Sequence, residues 1–172
     1  TRQNSDEVQR LYRSAMQLDP DYAPAYSGLA YSLCLELKDG IATDSQNVEL
    51  QMLENAQQGV RLDDGNPWCQ VILGRAQQQL QEYDAAVIAY RKAVELCPSS
   101  AKAHFGLGFG LSTTGQFEKS IKSLNRAIEL SPRDPMSWSF HTVKALTYIY
   151  SGDLENAAAS SALSSSFANS NH

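Results

Sequence analysis

The chain has 172 residues, 42% of them hydrophobic, and 14 basic against 19 acidic side chains leave a formal charge of −5. That is enough apolar material for one soluble unit with a continuous core. An acidic chain without a basic run argues against direct binding of nucleic acid or an anionic membrane, where Lys and Arg neutralise phosphates, and no apolar run reaches the roughly 18 residues of a membrane span.

Taken in chain order, Val8, Tyr12, Ala15 and Pro20 have the spacing of a helix and its stop, and Asn4 and Glu7 are spaced as a variant capping box. A second helix opens at Ala23 with Tyr26, Leu29 and Ala30. Lys38-Asp39-Gly40 reads as its end, Asp44 or Ser45 as the next N-cap, and Met52, Ala56, Gly59 and Val60 as an apolar face. About ten residues near 38 to 46 form an insertion against the period described below, expected as an exposed loop. A helix follows from Pro67, with a turn at Gln81 to Asp84 and a helix carrying Ala86, Tyr90 and Ala93.

The stretch HFGLGFG, residues 104–110, has the glycine spacing of a phosphate loop, but no strand precedes it. Pro98 breaks the preceding helix and Ser100 caps a new one, so the glycines lie inside a helix where no orphan N–H groups remain. Gly115 marks the next turn, followed by a helix with Ser120, Leu124 and Ala127. A longer helix then opens at Pro135 with Trp138 as its large aromatic residue, Gly152-Asp153 turns the chain, and a last helix covers about Leu154 to Ser165, with Ala168 to His172 frayed.

Shifting the chain by 34 residues superimposes Leu73-Gly74 on Leu107-Gly108, Tyr83 on Phe117, Ala86 on Ser120, Tyr90 on Leu124, Ala93 on Ala127 and Pro98 on Pro132. This order at this period resembles the tetratricopeptide repeat. The resemblance implies an all-α fold, a right-handed superhelix of stacked antiparallel helix pairs, helix A and helix B. It implies one domain over 1–172: a helix B at 1–22, a repeat with a long insertion at 23–66, repeats at 67–100 and 101–134, and a divergent repeat at 135–172. Gly108 is then the point where paired helices cross, while Gly106 and Gly110 are extra and leave room for a neighbouring helix or a ligand. A helix B ending in Leu18-Asp19-Pro20, the extended insertion, and Ser131-Pro132-Arg133-Asp134-Pro135 before a longer last helix A together are also similar to repeat regions that follow winged-helix or nucleotidyl cyclase domains in bacterial regulators. With Thr1 in place of Met, the chain reads as a fragment of a longer regulator.

No catalytic constellation emerges, so an enzyme and a cofactor are not expected. Cys34, Cys69 and Cys97 form no close pair and read as reduced thiols of a cytoplasmic protein. His104 and His141 take helix-packing positions, His172 is terminal, and no ligand set at metal spacing surrounds them.

Function is therefore expected on a surface. In the resembled family helix A lines a concave groove, and its groove positions fall here on Ser27, Tyr31 and Cys34, on Trp68, Val71, Arg75, Gln78 and Gln79, on Lys102, Phe105, Phe109, Ser112 and Thr113, and on Met136, Ser139, Val143, Leu146 and Thr147. Tyr31, Trp68, Val71, Arg75, Gln78, Lys102, Phe105, Phe109, Met136 and Val143 are taken as the partner-binding set. The chaperone-type clamp for a terminal carboxylate is disfavoured, because Ser27, Tyr31, Ile72, Lys102 and Gly106 stand at its positions and only Lys102 fits. An apolar or amphipathic protein or peptide segment, oriented by Arg75 and Lys102, is the expected partner. The alternatives are a homodimer through residues 5–18 and a small-ligand sensor.

Overall fold

The computed structural model describes residues 2–134 and 137–169, so Met136 and His172 lie outside the described residues. Among these, nine helices and no strand occur, and they gather into two compact units. The first, Thr1–Leu96, holds α1 (Arg2–Leu18), α2 (Ala23–Lys38), α3 (Ser45–Leu62), α4 (Pro67–Gln79) and α5 (Tyr83–Leu96). The second, Cys97–His172, holds α6 (Ala101–Thr113), α7 (Phe117–Leu130), α8 (Ser137–Ser151) and α9 (Leu154–Asn169).

Local chemistry sets these boundaries. Asp44 accepts a hydrogen bond from the Asn47 N–H at 3.1 Å, Asn66 from Trp68 at 3.0 Å just ahead of Pro67, and Ser100 from Ala103 at 3.2 Å. Each satisfies an orphan donor of a first turn. The expected cap at Asn4 is overturned. Helix α1 already runs from Arg2, so Asn4 lies within it, and Glu7 pairs with Arg10 at 2.6 Å instead.

Four helices end in one device. After α4, the N–H of Gln81 reaches the Gln78 carbonyl at 3.1 Å and that of Glu82 the Gln77 carbonyl at 2.8 Å; Gly115 and Gln116 repeat this pattern after α6. Gly40 with Ile41 and Gly152 with Asp153 close α2 and α8 likewise. The residue at the turn must be left-handed, and φ is +66° at Gly40, +75° at Gly115 and +83° at Gly152. Gln81, one period before Gly115, is the exception with φ +61°. A side chain there costs about 1–2 kcal/mol against glycine's freedom, partly offset by the unfolded-state entropy that glycine adds. Gln81→Gly should therefore raise the stability of the first unit by about 0.5–1 kcal/mol, read as a higher denaturant midpoint; a lower midpoint would contradict the turn's strain.

Helices pair as α2 with α3, α4 with α5, α6 with α7 and α8 with α9. Extra length in the α2–α3 pair is divided between the connection 39–44 and the helices themselves, 16 and 18 residues long against 13 and 14 in α4 and α5.

The core of the first unit centres on Met52, Ile72 and Cys69, with Ala30, Ala56, Ala76, Ala86 and Ala93 wholly buried between helices. A Cβ on Gly74 would stand 3.0 Å from the Tyr90 ring. In the second unit Leu124, Ala127 and Ala103 are wholly buried. A Cβ on Gly108 would stand 2.6 Å from Leu124 Cγ. The glycine of HFGLGFG is thus an approach point for α7, which accounts for a helix tolerating it despite a propensity loss of about 1 kcal/mol. Gly106 and Gly110 are buried in the same helix.

Candidate functional site

In the first unit, α2 and α4 pack side by side and bring together residues 31, 68 and 75. Trp68 and Arg75 are seven residues apart on α4 and so share one face, which Tyr31 of α2 meets. The Tyr31 and Trp68 rings meet edge to face, centroids 5.7 Å apart at 69°. The Arg75 guanidinium carbon sits 5.2 Å from the centre of the Tyr31 ring, within cation–π range. All three side chains are half-buried.

Beneath them the surroundings are neutral. Burial pushes the Cys34 thiol up to about 11, although the nearby Arg75 charge draws it down. Burial likewise raises the Tyr90 phenol, which donates to Gln78 Oε1 at 3.1 Å. A thiol so protonated is a poor nucleophile. Gln78, half-buried, is held by that bond.

Other expected surface residues lie deeper. Val71 and Val143 are each 8% exposed, and Ser27, Cys34, Ser112 and Thr147 are buried. In the second unit the Phe105 ring packs tilted against Phe140, centroids 4.7 Å apart at 34°, between α6 and α8, while Phe109 is half-buried and Lys102 exposed.

Sequence reasoning missed a buried hydroxyl cluster. Ser120 Oγ donates to the Gly108 carbonyl at 2.7 Å, and Thr147 Oγ1 lies 2.9 Å from Ser112 Oγ and 2.8 Å from the Val143 carbonyl. These bonds stitch buried faces of α6, α7 and α8 together; a Thr or Ser in a helix gives no sequence signal for this by itself.

His104 bonds the Pro98 carbonyl through Nε2 at 3.0 Å. His141 is buried, stacks flat on Phe167 at 5.3 Å, and its Nδ1 has no hydrogen-bond partner among the described residues. Burial, aided by the Lys144 charge, lowers its pKa from 6.5. Its neutral form is favoured in the fold, so this contribution is complete above about pH 6.5 and is lost as pH falls from there toward the folded-state value. Wild type should therefore lose more stability between about pH 7.5 and 5.5 than His141→Gln, measured by denaturant unfolding; equal losses would contradict a buried neutral imidazole.

Among the described residues no group of three His, Cys, Asp or Glu could hold a metal ion, and no helix is long and apolar enough to cross a membrane. The chain presents helix pairs, capped turns and a half-buried aromatic and guanidinium face.

Two family profiles match, one described as TPR repeat over residues 74–110 and one as Tetratricopeptide repeat over 101–134. The chain carries tetratricopeptide repeats.

Solved tetratricopeptide-repeat structures agree in fold. TTC0263 from Thermus thermophilus superimposes with a TM-score of 0.73 at 21% identity, covering 93% of this chain and 81% of that one. YrrB, a tetratricopeptide-repeat protein with an unusual peptide-binding site, gives 0.66 at 19% identity, covering 96% and 78%. Among curated proteins, the transcriptional regulator HilA of Salmonella typhimurium is 27% identical over 123 residues, 72% of this chain. The chain spans 22% of the length of that relative.

Tetratricopeptide-repeat proteins bind protein or peptide partners, and the chain is a protein-interaction module of this kind.

Proposed function

We propose that the chain is a non-catalytic module that takes a peptide or helical segment against half-buried helix A side chains, centred on Tyr31, Trp68 and Arg75. The observation that carries this is their assembly on α2 and α4: two rings and a guanidinium, each only half-buried. Aromatic and arginine side chains grouped in this way supply most of the energy of a typical protein interface. The similarity to part of HilA supports a place as the regulatory portion of a longer bacterial regulator. In the second unit Lys102 and Phe109 are further candidate contacts, whereas Phe105 is partly engaged with Phe140.

Selection from a random peptide library on the immobilised chain tests the reading. Selected peptides should lose about tenfold or more in affinity for Tyr31→Ala/Trp68→Ala, provided circular dichroism shows that variant folded. Equal binding to both proteins would remove this face from the account.

Self-association through residues 5–18 is the second reading, favoured by the exposure of Val8 at 41%, Leu11 at 54% and Leu18 at 88% on α1. In that case sedimentation should show mass rising with concentration, and Leu11→Glu should abolish the rise. A concentration-independent monomer mass would eliminate this reading.

A further inference from the structure

The sole charged residue of α4 is Arg75. Its guanidinium has no hydrogen-bond or ion-pair partner among the described residues; it rests against the Tyr31 ring. The groups beneath it, the Cys34 thiol and the Tyr90 phenol, are both biased toward their neutral forms by burial. On α2 the acidic residue is Glu36, and it is engaged by Gln9 Nε2 at 2.6 Å. The α2–α4 face thus carries an arginine that rests on a ring and has no anion paired with it among the described residues.

A guanidinium held over a ring keeps its N–H donors available at its edge, in a planar fork that matches a carboxylate. We propose that Arg75, Tyr31 and Trp68 form a recognition site for an acidic amphipathic segment of a partner protein, in which an Asp or Glu side chain pairs with Arg75 and an adjacent apolar residue packs on Trp68. This rests on the peptide-binding reading above and supplies the chemistry of its partner. The charge relation selects the occupant: an uncompensated cation on a half-buried aromatic face favours an anion with apolar flanks over a basic or purely apolar segment. A side-chain carboxylate is the chosen source because Ser27, Tyr31 and Ile72, at the clamp positions of α2 and α4, supply none of the lysine and asparagine donors that grip a terminal carboxylate.

The test uses the full chain and the composition of peptides selected from the random library, resynthesised with amidated C-termini. The wild-type pool should be enriched in Asp or Glu next to an apolar residue, and the Arg75→Gln pool should not. For a selected acidic peptide, Arg75→Gln should weaken binding about three- to tenfold, and Glu→Gln in the peptide should do the same. Combined, the two changes should cost little more than either alone. Arg75→Lys, which keeps the charge but not the planar fork, should fall between wild type and Arg75→Gln. Peptides that bind Arg75→Gln as well as wild type, yet still need Tyr31 and Trp68, would overturn the carboxylate proposal and leave the peptide-binding face standing. Binding that disappears on amidation would identify a terminal carboxylate and overturn the side-chain assignment. No enrichment of any peptide would count against both.

Discussion

Leu124→Ala should lower the stability of the second unit by about 2–5 kcal/mol, among the largest losses available from a single substitution in that unit. The side chain is wholly buried where α7 crosses α6, so its removal forfeits both the transfer of its methyl groups from water and the contacts that lined them. The same site gives a sharper test. Gly108→Ala would place a Cβ 2.6 Å from Leu124 Cγ and 3.3 Å from the Leu124 backbone nitrogen, so α7 itself must yield. The loss is about 1–3 kcal/mol from overpacking, against about 1 kcal/mol gained in helix propensity. In the double variant the new methyl group occupies space that leucine vacated. Leu124→Ala should therefore cost at least about 1 kcal/mol less in the Gly108→Ala background than in wild type. Strict additivity in denaturant unfolding would contradict the close approach at Gly108.

Tyr90→Ala should destabilise the first unit by about 3–5 kcal/mol, and Tyr90→Phe by about 0.5–1.5 kcal/mol. Tyr90 is 3% exposed, its ring fills the space left by Gly74, and its hydroxyl is held by Gln78. Most of its contribution is thus the ring, with the hydrogen bond a smaller part. Trp68 lies in the first unit and Trp138 in the second. With fluorinated tryptophan, NMR should show the Trp68 signal lost at lower denaturant in Tyr90→Ala. If Tyr90→Phe were as damaging as Tyr90→Ala, the packing argument would fail and the hydrogen bond would carry most of the stabilisation.

The repeat made the pairing of α4 with α5 and of α6 with α7 legible, because Leu-Gly and Ala recur there where one helix approaches another and Pro recurs where one stops. Gly108 is the clearest case: its role followed from its place in the period, and the contact with Leu124 bears it out. Ser100 was equally readable, since an N-cap depends on a few neighbouring atoms. Surface and core were harder to separate. Val71 and Val143 occupy groove positions by count, yet both are buried, because the count fixes an angle around the helix and leaves open how closely the next helix packs. Thr147 shows the same limit: its hydroxyl is satisfied within the α6–α8 cluster, and nothing in its sequence neighbourhood announces Ser112, 35 residues away. Asn4 had the composition of a cap without being the end of its helix. The Tyr31–Arg75 contact joins two expected surface residues, but their stacking geometry depends on how α2 and α4 pack.

The most direct measurement of the central claim is a titration of a selected peptide into the chain labelled with fluorinated tryptophan, observed by NMR. The Trp68 signal should shift to saturation while that of Trp138 stays in place. A saturable shift of Trp138 with Trp68 unmoved would place binding away from the α2–α4 face and contradict the account.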